Sequence, residues 1–447
     1  MTAGRPLRFL IIGHGIAGLA AAKAIRRRSP TASLAILTDE NHRFYSRPGL
    51  AYYLSGDIPE RQLFTQPDSL YRELRCSLIF GRAIRIDANQ RRVRLADGSV
   101  LAYDALLLAT GAHAARPSIP GIDLEGVVTL DTLDDTRHLL KLARRARRAV
   151  VVGGGITALE IAEGLAARGV ETHYLLRKDR YWNSVLDPAE SEIVEAGLAH
   201  EGVILHKQTE VESLEDRRGR VRAVVTSSGQ RIACNMLGVA IGIRPRIGLA
   251  DASGVETDRG ILVDETMQTN LPGIYAAGDV AQVYDPEQDA YRLDSLWWTA
   301  EQQGSTAGAN MAGDRMPYIR KTPFNVTRIG GLVTTIIGDV GSRERDADVK
   351  GIMRGDSENW RHSVDCITVQ ERNGSNRIRL MVGQDRLVGA LVMGDQTLSR
   401  PIQHYVQDAI PLGELGDMLR TQPETALDMM RQHQSRSPVP TGGGSGW

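Results

Sequence analysis

The sequence predicts an α/β chain: two doubly wound units with parallel sheets, followed by a smaller α+β unit at the C-terminal end. Three observations carry this. "FLIIGHGIAGLAAAKAIRRR" (Phe9 to Arg28) reads as a buried strand, a glycine turn spelling G-x-G-x-x-G, and a helix. "AVVVGGGITALEIAEGLAARGVETHYLL" (Ala149 to Leu176) repeats that pattern in mid-chain. Beyond about Pro317, short apolar runs dominate and the strand–helix alternation stops.

The first unit opens on a stretch with two readings. Arg5 and Arg8 before an apolar run that ends in small residues give the outline of a secretory signal peptide. A signal peptide has no reason to recur at Gly153, so the repeat favours a dinucleotide turn. Gly13 would make the tight bend, Gly15 would let the backbone approach a pyrophosphate, and Gly18 would let the helix lie close to its strand. The N-terminus of the helix supplies free N–H groups and a partial positive charge. Two such turns imply two Rossmann-type domains.

The other elements follow in order. The first helix should stop near Arg28-Ser29-Pro30, where proline cannot continue it. Leu34 to Thr38 is the second strand, and "YDALLLATGA" (Tyr103 to Ala112) is a buried strand running into a glycine turn. "RPSIPG" (Arg116 to Gly121) reads as a linker, and "GIYAAGDVA" (Gly273 to Ala281) as another strand stopped by glycine. A helix is expected over Thr299 to Ala312. The last region offers strands at Leu332 to Ile337, Ile367 to Gln370, Arg377 to Val382 and Val388 to Met393, then a helix at Arg400 to Ala409. Arg26-Arg27-Arg28 and "RRARR" (Arg144 to Arg148) read as solvated helix ends. "ERDADVKGIMRGDSENWRHS" (Glu344 to Ser363) reads as a solvated loop, and "PVPTGGGSGW" (Pro438 to Trp447) as a disordered tail.

Composition narrows the function. Across 447 residues, 54 Lys and Arg balance 54 Asp and Glu, so no net field favours nucleic acid or an anionic membrane. Three widely spaced cysteines, Cys76, Cys234 and Cys366, suit a reducing cytoplasm rather than a disulfide framework. No C-x-x-C pair or metal-ligand spacing stands out, and no apolar run reaches the ~18 residues of a membrane span. A soluble cytoplasmic protein with no metal site is the expectation.

With these motifs in hand, the chain resembles the pyridine nucleotide-disulfide oxidoreductase superfamily. "GHGIAG", "ATG" (Ala109 to Gly111), "GGGITALE" (Gly153 to Glu160) and "AAGDV" (Ala276 to Val280) stand in the family's order, over roughly residues 7 to 312. The resemblance implies FAD on the first turn, NAD(P)H on the second, and a chain that returns to complete the FAD domain. The expected segments are 1–118 and 246–316 for FAD, 119–245 for NAD(P)H, 317–432 for the α+β domain, and 433–447 for the tail.

Carried over position by position, Gly13, Gly15, Ile16, Ala17 and Gly18 would cradle the FAD pyrophosphate. Asp39 or Glu40, with Glu40 favoured, would take the adenosine ribose, and Ala83 would lie against adenine. Ala109, Thr110 and Gly111 would approach the flavin, with Gly278 and Asp279 at the ribityl chain. In the second unit Gly153, Gly155, Ile156 and Thr157 would hold the nicotinamide dinucleotide, Ala158 taking the third glycine position. Glu160 would serve beside the nicotinamide, unless it is only an exposed helix carboxylate. Gly242 would border that pocket. Arg177 and Lys178 follow Leu176 in the slot where an acid would repel a 2′-phosphate, which favours NADPH or dual use.

"YSRPGLAYYLSG" (Tyr45 to Gly56) selects the branch. It holds no cysteine where disulfide reductases and related peroxidases place theirs, so no thiolate relay is available there. Arg47 and Pro48 resemble the flavin-only branch of rubredoxin and ferredoxin reductases and the flavin portion of NADH-dependent nitrite reductases. Tyr52 stands where many members have lysine. Trp297 or Trp298 would lie near the flavin's pyrimidine edge, the other being core. The implied function is transfer of hydride from NAD(P)H to FAD and of electrons onward to a small electron-carrier protein or partner reductase subunit. A redox-sensitive interaction module resembling apoptosis-inducing factor is the alternative, and a homodimer is left open.

Overall fold

The computed structural model describes residues 6–286, 289–338, 340, 365–370, 376–383 and 385–436. The expected loop over 344–363 and the expected tail at 438–447 lie outside the described residues. Two compact units are found: one spans Met1–Tyr181 and Leu198–Arg320, and the other joins Trp182–Gly197 to the strands and helices beyond Lys321.

In chain order the larger unit runs β1 (Arg8–Ile12), α1 (Ile16–Arg28), β2 (Ser33–Thr38), β3 (Cys76–Phe80), β4 (Ala105–Leu108) and β5 (Val127–Val128). It continues through β6 (Arg148–Val152), α2 (Ile156–Ala167), β7 (Glu171–Leu175), β8 (Ile204–His206), β9 (Met236–Val239), β10 (Ile274–Ala276) and α3 (Trp297–Met311). Two parallel sheets result, ordered β10-β4-β1-β2-β3 and β5-β9-β6-β7-β8. Four strands correspond in order, β4-β1-β2-β3 with β9-β6-β7-β8, the spatial counterpart of the sequence repeat, while the fifth, edge strand comes late in the first sheet (β10) and early in the second (β5).

Burial explains the strand composition. Phe9, Leu10, Ile11 and Ile12 are all buried, because helices cover both faces of a parallel sheet and neither side can be polar. β1 lies inside its sheet, with Leu10 opposite Ala35 on one side and Leu106 on the other. Helix α1 is rich in alanine and ends in Arg26, Arg27 and Arg28, which suit the negative end of its dipole.

Arg26 departs from the expectation of a solvated helix end. Its guanidinium donates to the carbonyls of Leu74, Ser29, Pro30, Ala32 and Arg75, closing the connection between α1 and β2 over the Leu74–Arg75 turn. Arg148 likewise sits in β6 and pairs with Glu171 through Nε at 2.8 Å. The strands expected from the apolar runs form close to their predicted places, while α3 begins two residues early at Trp297.

The smaller unit carries a five-stranded antiparallel sheet, Phe324–Ile329, Leu332–Gly338, Arg386–Met393, Arg377–Gly383 and Asp365–Gln370 in spatial order. Ile337, Leu380, Ala390 and Val392 pack with Leu398, Ile402, Ala426 and Met430 of its helices. Trp182–Gly197 joins this unit through buried charge. Arg379 Nε donates to Glu190 Oε1 at 2.8 Å, and Arg377 Nη2 to Asp187 Oδ2 at 2.6 Å. Glu190 has no exposed side-chain surface; burial pushes its carboxyl up from its ordinary value, against the opposing pull of Arg379.

Candidate functional site

The first glycine turn is dictated by sterics. Gly13 has φ +114°, and a Cβ there would stand 2.0 Å from the Ala109 carbonyl oxygen, so only glycine fits. At Gly18 a Cβ would lie 2.2 Å from the Gly13 oxygen. Gly15 is different: its backbone is extended and a Cβ would meet nothing within 4 Å. Gly15 caps α1 without a side-chain acceptor, and the first turn, with Ile16 half-buried and Ala17 buried, holds no acid. An uncapped helix start beside the open space at Gly15 is the arrangement that suits an anionic pyrophosphate.

Around this turn, the carboxyl ends of the first sheet gather most of the expected residues. Asp39 is exposed at the end of β2, and Glu40 is half-buried. Glu40 is already engaged: Oε2 accepts from the Tyr45 hydroxyl at 2.6 Å, and Oε1 accepts from Arg47 Nη2. Arg47 Nη1 donates to the Asp131 carbonyl at 2.6 Å, and Tyr45 oxygen accepts the Leu133 N–H at 3.2 Å. Burial works against the Arg47 charge, but Tyr45, Glu40 and Asp131 outweigh it and hold its pKa above the ordinary value. Asp39 is thus the carboxylate with freer oxygens. Pro48 caps the short helix Gly49–Ser55, on which Tyr52 is exposed.

Ala83 follows the hydrogen bond from Gly81 N to the Thr38 carbonyl (2.8 Å), which brings it to the same sheet end. Ala109 is buried behind Gly13; Thr110 Oγ1 donates to the Arg246 carbonyl at 3.2 Å, and Gly111, with φ +65°, faces open space. Gly278 donates to Gln303 Oε1 at 2.9 Å, and its position would bring a Cβ within 3.0 Å of Ala17 Cβ. Asp279, half-buried, follows it. Neither tryptophan is a core residue, against the expectation for one of them: Trp297 is half-buried 6.0 Å from Phe44, whereas Trp298 is 50% exposed.

The second turn repeats the first. Gly153 has φ +142°, and its Cβ would lie 2.1 Å from the Ala240 oxygen, as Gly13 does against Ala109. Gly154 and Gly155 face open space, and Ala158 fills the tight position with no exposed surface. Ile156, Thr157 and Glu160 are half-buried at the start of α2. Arg177 is exposed and Lys178 half-buried just past β7, where Gln208 N donates to the Lys178 carbonyl at 3.0 Å. Gly242, at φ +122°, accepts from Ala115 N at 2.9 Å in the ribbon that links the two sheets.

Sulfur chemistry has no place beside either turn among the described side chains. Cys76 and Cys234 are both buried, and burial pushes each thiol up to about 11. Among the described residues no group of three or more His, Cys, Asp or Glu could hold a metal, and no helix is long and apolar enough to cross a membrane.

Sequence reasoning missed several contributors: His14 and Tyr71 beside the first turn, Tyr45 and Asp131 around Arg47, Gln303 behind Gly278, and Arg246. Only His14 carried a signal, its position inside the glycine motif; the rest become visible once distant segments meet.

A family model described as pyridine nucleotide-disulphide oxidoreductase matches residues 7–304. The chain belongs to that family. This pyridine nucleotide-disulphide oxidoreductase is 32% identical over 350 residues to the biphenyl dioxygenase system ferredoxin–NAD(+) reductase component of Paraburkholderia xenovorans, covering 78% of this chain and 84% of that protein. It is 31% identical over 356 residues to an NADH oxidase of Methanocaldococcus jannaschii, covering 77% and 78% respectively. Among solved structures it is similar to the ferredoxin reductase for the CYP199A2 system from Rhodopseudomonas palustris, with TM-score 0.78, 26% identity and coverage of 88% and 93%. A putidaredoxin reductase–putidaredoxin complex, at TM-score 0.81, 21% identity and coverage of 96% and 99%, shares the fold.

Proposed function

We propose that this oxidoreductase takes hydride from NAD(P)H onto FAD and passes electrons to a small electron-carrier protein or a partner reductase subunit. The observation that carries the reading is the pair of glycine turns, each open at the carboxyl end of its own parallel sheet, with no described thiol at either. Relatives named as ferredoxin and rubredoxin reductases support the choice of acceptor.

FAD fits the first turn because the Gly15 position leaves room for a phosphate against uncapped N–H groups. Segments 1–118 and 246–316 would hold it, 119–245 the nicotinamide dinucleotide, and 317–432 the α+β domain. When bound, FAD supplies the conversion between two-electron and one-electron transfer. The chain's own residues align and orient. Gly13, Gly15, Ile16, Ala17 and Gly18 receive the pyrophosphate, Asp39 the ribose hydroxyls, and Ala83 the adenine. Thr110, Gly111, Gly278 and Asp279 hold the flavin end, with Trp297 beside it. Arg47 is fixed by Glu40 and Asp131, so it presents a positive charge without needing to reorganise. Gly153, Gly155, Ile156, Thr157 and Gly242 line the second site, Glu160 orients the nicotinamide end, and Arg177 and Lys178 meet the 2′ position. A cytoplasmic setting completes the proposal.

The test is anaerobic. The purified protein is checked for bound flavin absorbance and mixed separately with NADH and NADPH; bleaching by at least one is expected. A flavin that neither coenzyme bleaches would overturn the reading.

A further inference from the structure

His14 stands between Gly13 and Gly15, yet its ring is tied down. Nε2 lies 2.7 Å from the Tyr71 hydroxyl, and that oxygen also accepts the Phe44 N–H at 3.0 Å. The imidazole also interacts with the His42 backbone. Phe44 meets the imidazole edge-on at 6.2 Å and Tyr71 lies tilted at 5.5 Å.

A neutral imidazole is compatible with these partners. With the Tyr71 hydroxyl proton directed to Nε2, its oxygen still accepts from Phe44. In that arrangement the remaining imidazole proton is on Nδ1 and the ring is neutral. Burial pushes His14 down to about 4, against smaller opposing effects of the His42 backbone and Glu40, which agrees with a neutral ring at working pH.

The segment held in this way is the one that carries Glu40, Tyr45, Arg47 and Pro48. His42 Nε2 also contacts Asp134 Oδ1 at 3.0 Å, so His42 is anchored at both its backbone and its ring. We propose that His14 is a positioning residue, clamping the 40–48 loop to the first glycine turn and thereby setting how tightly that turn retains a dinucleotide pyrophosphate. The second half rests on the FAD reading above; the clamp itself does not.

Two measurements separate these. Hydrogen exchange in the flavin-free protein should show the Phe44 amide exchanging faster in His14→Leu and Tyr71→Phe, with the β1 amides unchanged. FAD release, followed by flavin fluorescence, should be about five- to tenfold faster in each of those variants, the change expected for one lost hydrogen bond. The double variant should release FAD less fast than the product of the two single effects, because both single variants lose the shared His14–Tyr71 hydrogen bond. His14→Gln, whose side-chain amide can hydrogen-bond Tyr71, should restore release to within about twofold. Unchanged Phe44 exchange in both single variants, or release rates that multiply in the double variant, would sink the clamp. A wild-type protein that binds no FAD would instead overturn the cofactor reading and the retention half, while the exchange result still decides the clamp.

Discussion

Gly304 of α3 rests on the backbone of Ala17 in α1: a Cβ at position 304 would stand 2.1 Å from the Ala17 carbonyl oxygen. Gly308, one turn on, has the same relation to Ala21, at 2.5 Å. Small residues spaced by four on one helix face let the backbones approach, and this approach brings Gln303 to Gly278 behind the first glycine turn. Gly304→Ala must push the helices apart. A loss of about 1–3 kcal/mol is expected from overpacking, measured by urea unfolding, together with weaker flavin retention. Stability equal to the wild type would show that the helices give way freely.

Gly13 and Gly15 should respond oppositely to the same change. Gly13→Ala meets a carbonyl and a positive φ, so loss of folded protein is expected. Gly15→Ala meets nothing. It should therefore melt as the flavin-free wild type does, but bind FAD more weakly, because the methyl enters the space assigned to the pyrophosphate. Titration of the flavin-free proteins with FAD distinguishes them, and undiminished affinity in Gly15→Ala would displace the phosphate from that position.

His14 makes stability depend on pH in one direction. Burial lowers its pKa from 6.5 to about 4, so the unfolded chain takes up the proton first as pH falls. Nothing is lost above 6.5; between there and about 4 the folded state loses up to about 1.4 kcal/mol per pH unit from this group. Thermal unfolding of the wild type and His14→Gln across that window checks it. Parallel curves would mean that His14 is not held neutral.

In the smaller unit, Arg379→Ala leaves Glu190 buried beside a weakened partner set. A cost of about 3–5 kcal/mol is expected for breaking a buried pair from one side. Replacing both residues with methionine should cost less than Arg379→Ala alone. Equal or greater damage in the double variant would argue that shape, rather than stranded charge, dominates there.

Coenzyme choice rests on exposed side chains past β7. Arg177→Glu should lower kcat/KM for NADPH by about tenfold or more relative to NADH, the scale of one lost phosphate contact. An unchanged ratio would remove Arg177 as the determinant.

The two glycine turns were legible in the letters because their constraints are local. A turn that needs a positive φ and a helix that must start at once leave glycines at fixed spacing, and a strand buried on both faces leaves an unbroken apolar run. Glu40 shows where such reading stops: its position in the motif suggests a ribose ligand, but only the folded chain reveals that it also accepts from Tyr45 and Arg47, with Asp39 exposed next to it.

The sequence by itself determined the two strand–turn–helix units, their family, and the absence of cysteine from the Tyr45 to Gly56 stretch. Only the tertiary structure decided that Arg26 closes a turn, that His14 reaches Tyr71, and that Trp182–Gly197 leaves its sequence neighbours to pair charges with Arg377 and Arg379. The reason is the range of the forces involved. Backbone sterics and periodic burial act over a few neighbouring residues, whereas a buried ion pair such as Glu190–Arg379 links positions 189 apart and exists only after folding has brought them together.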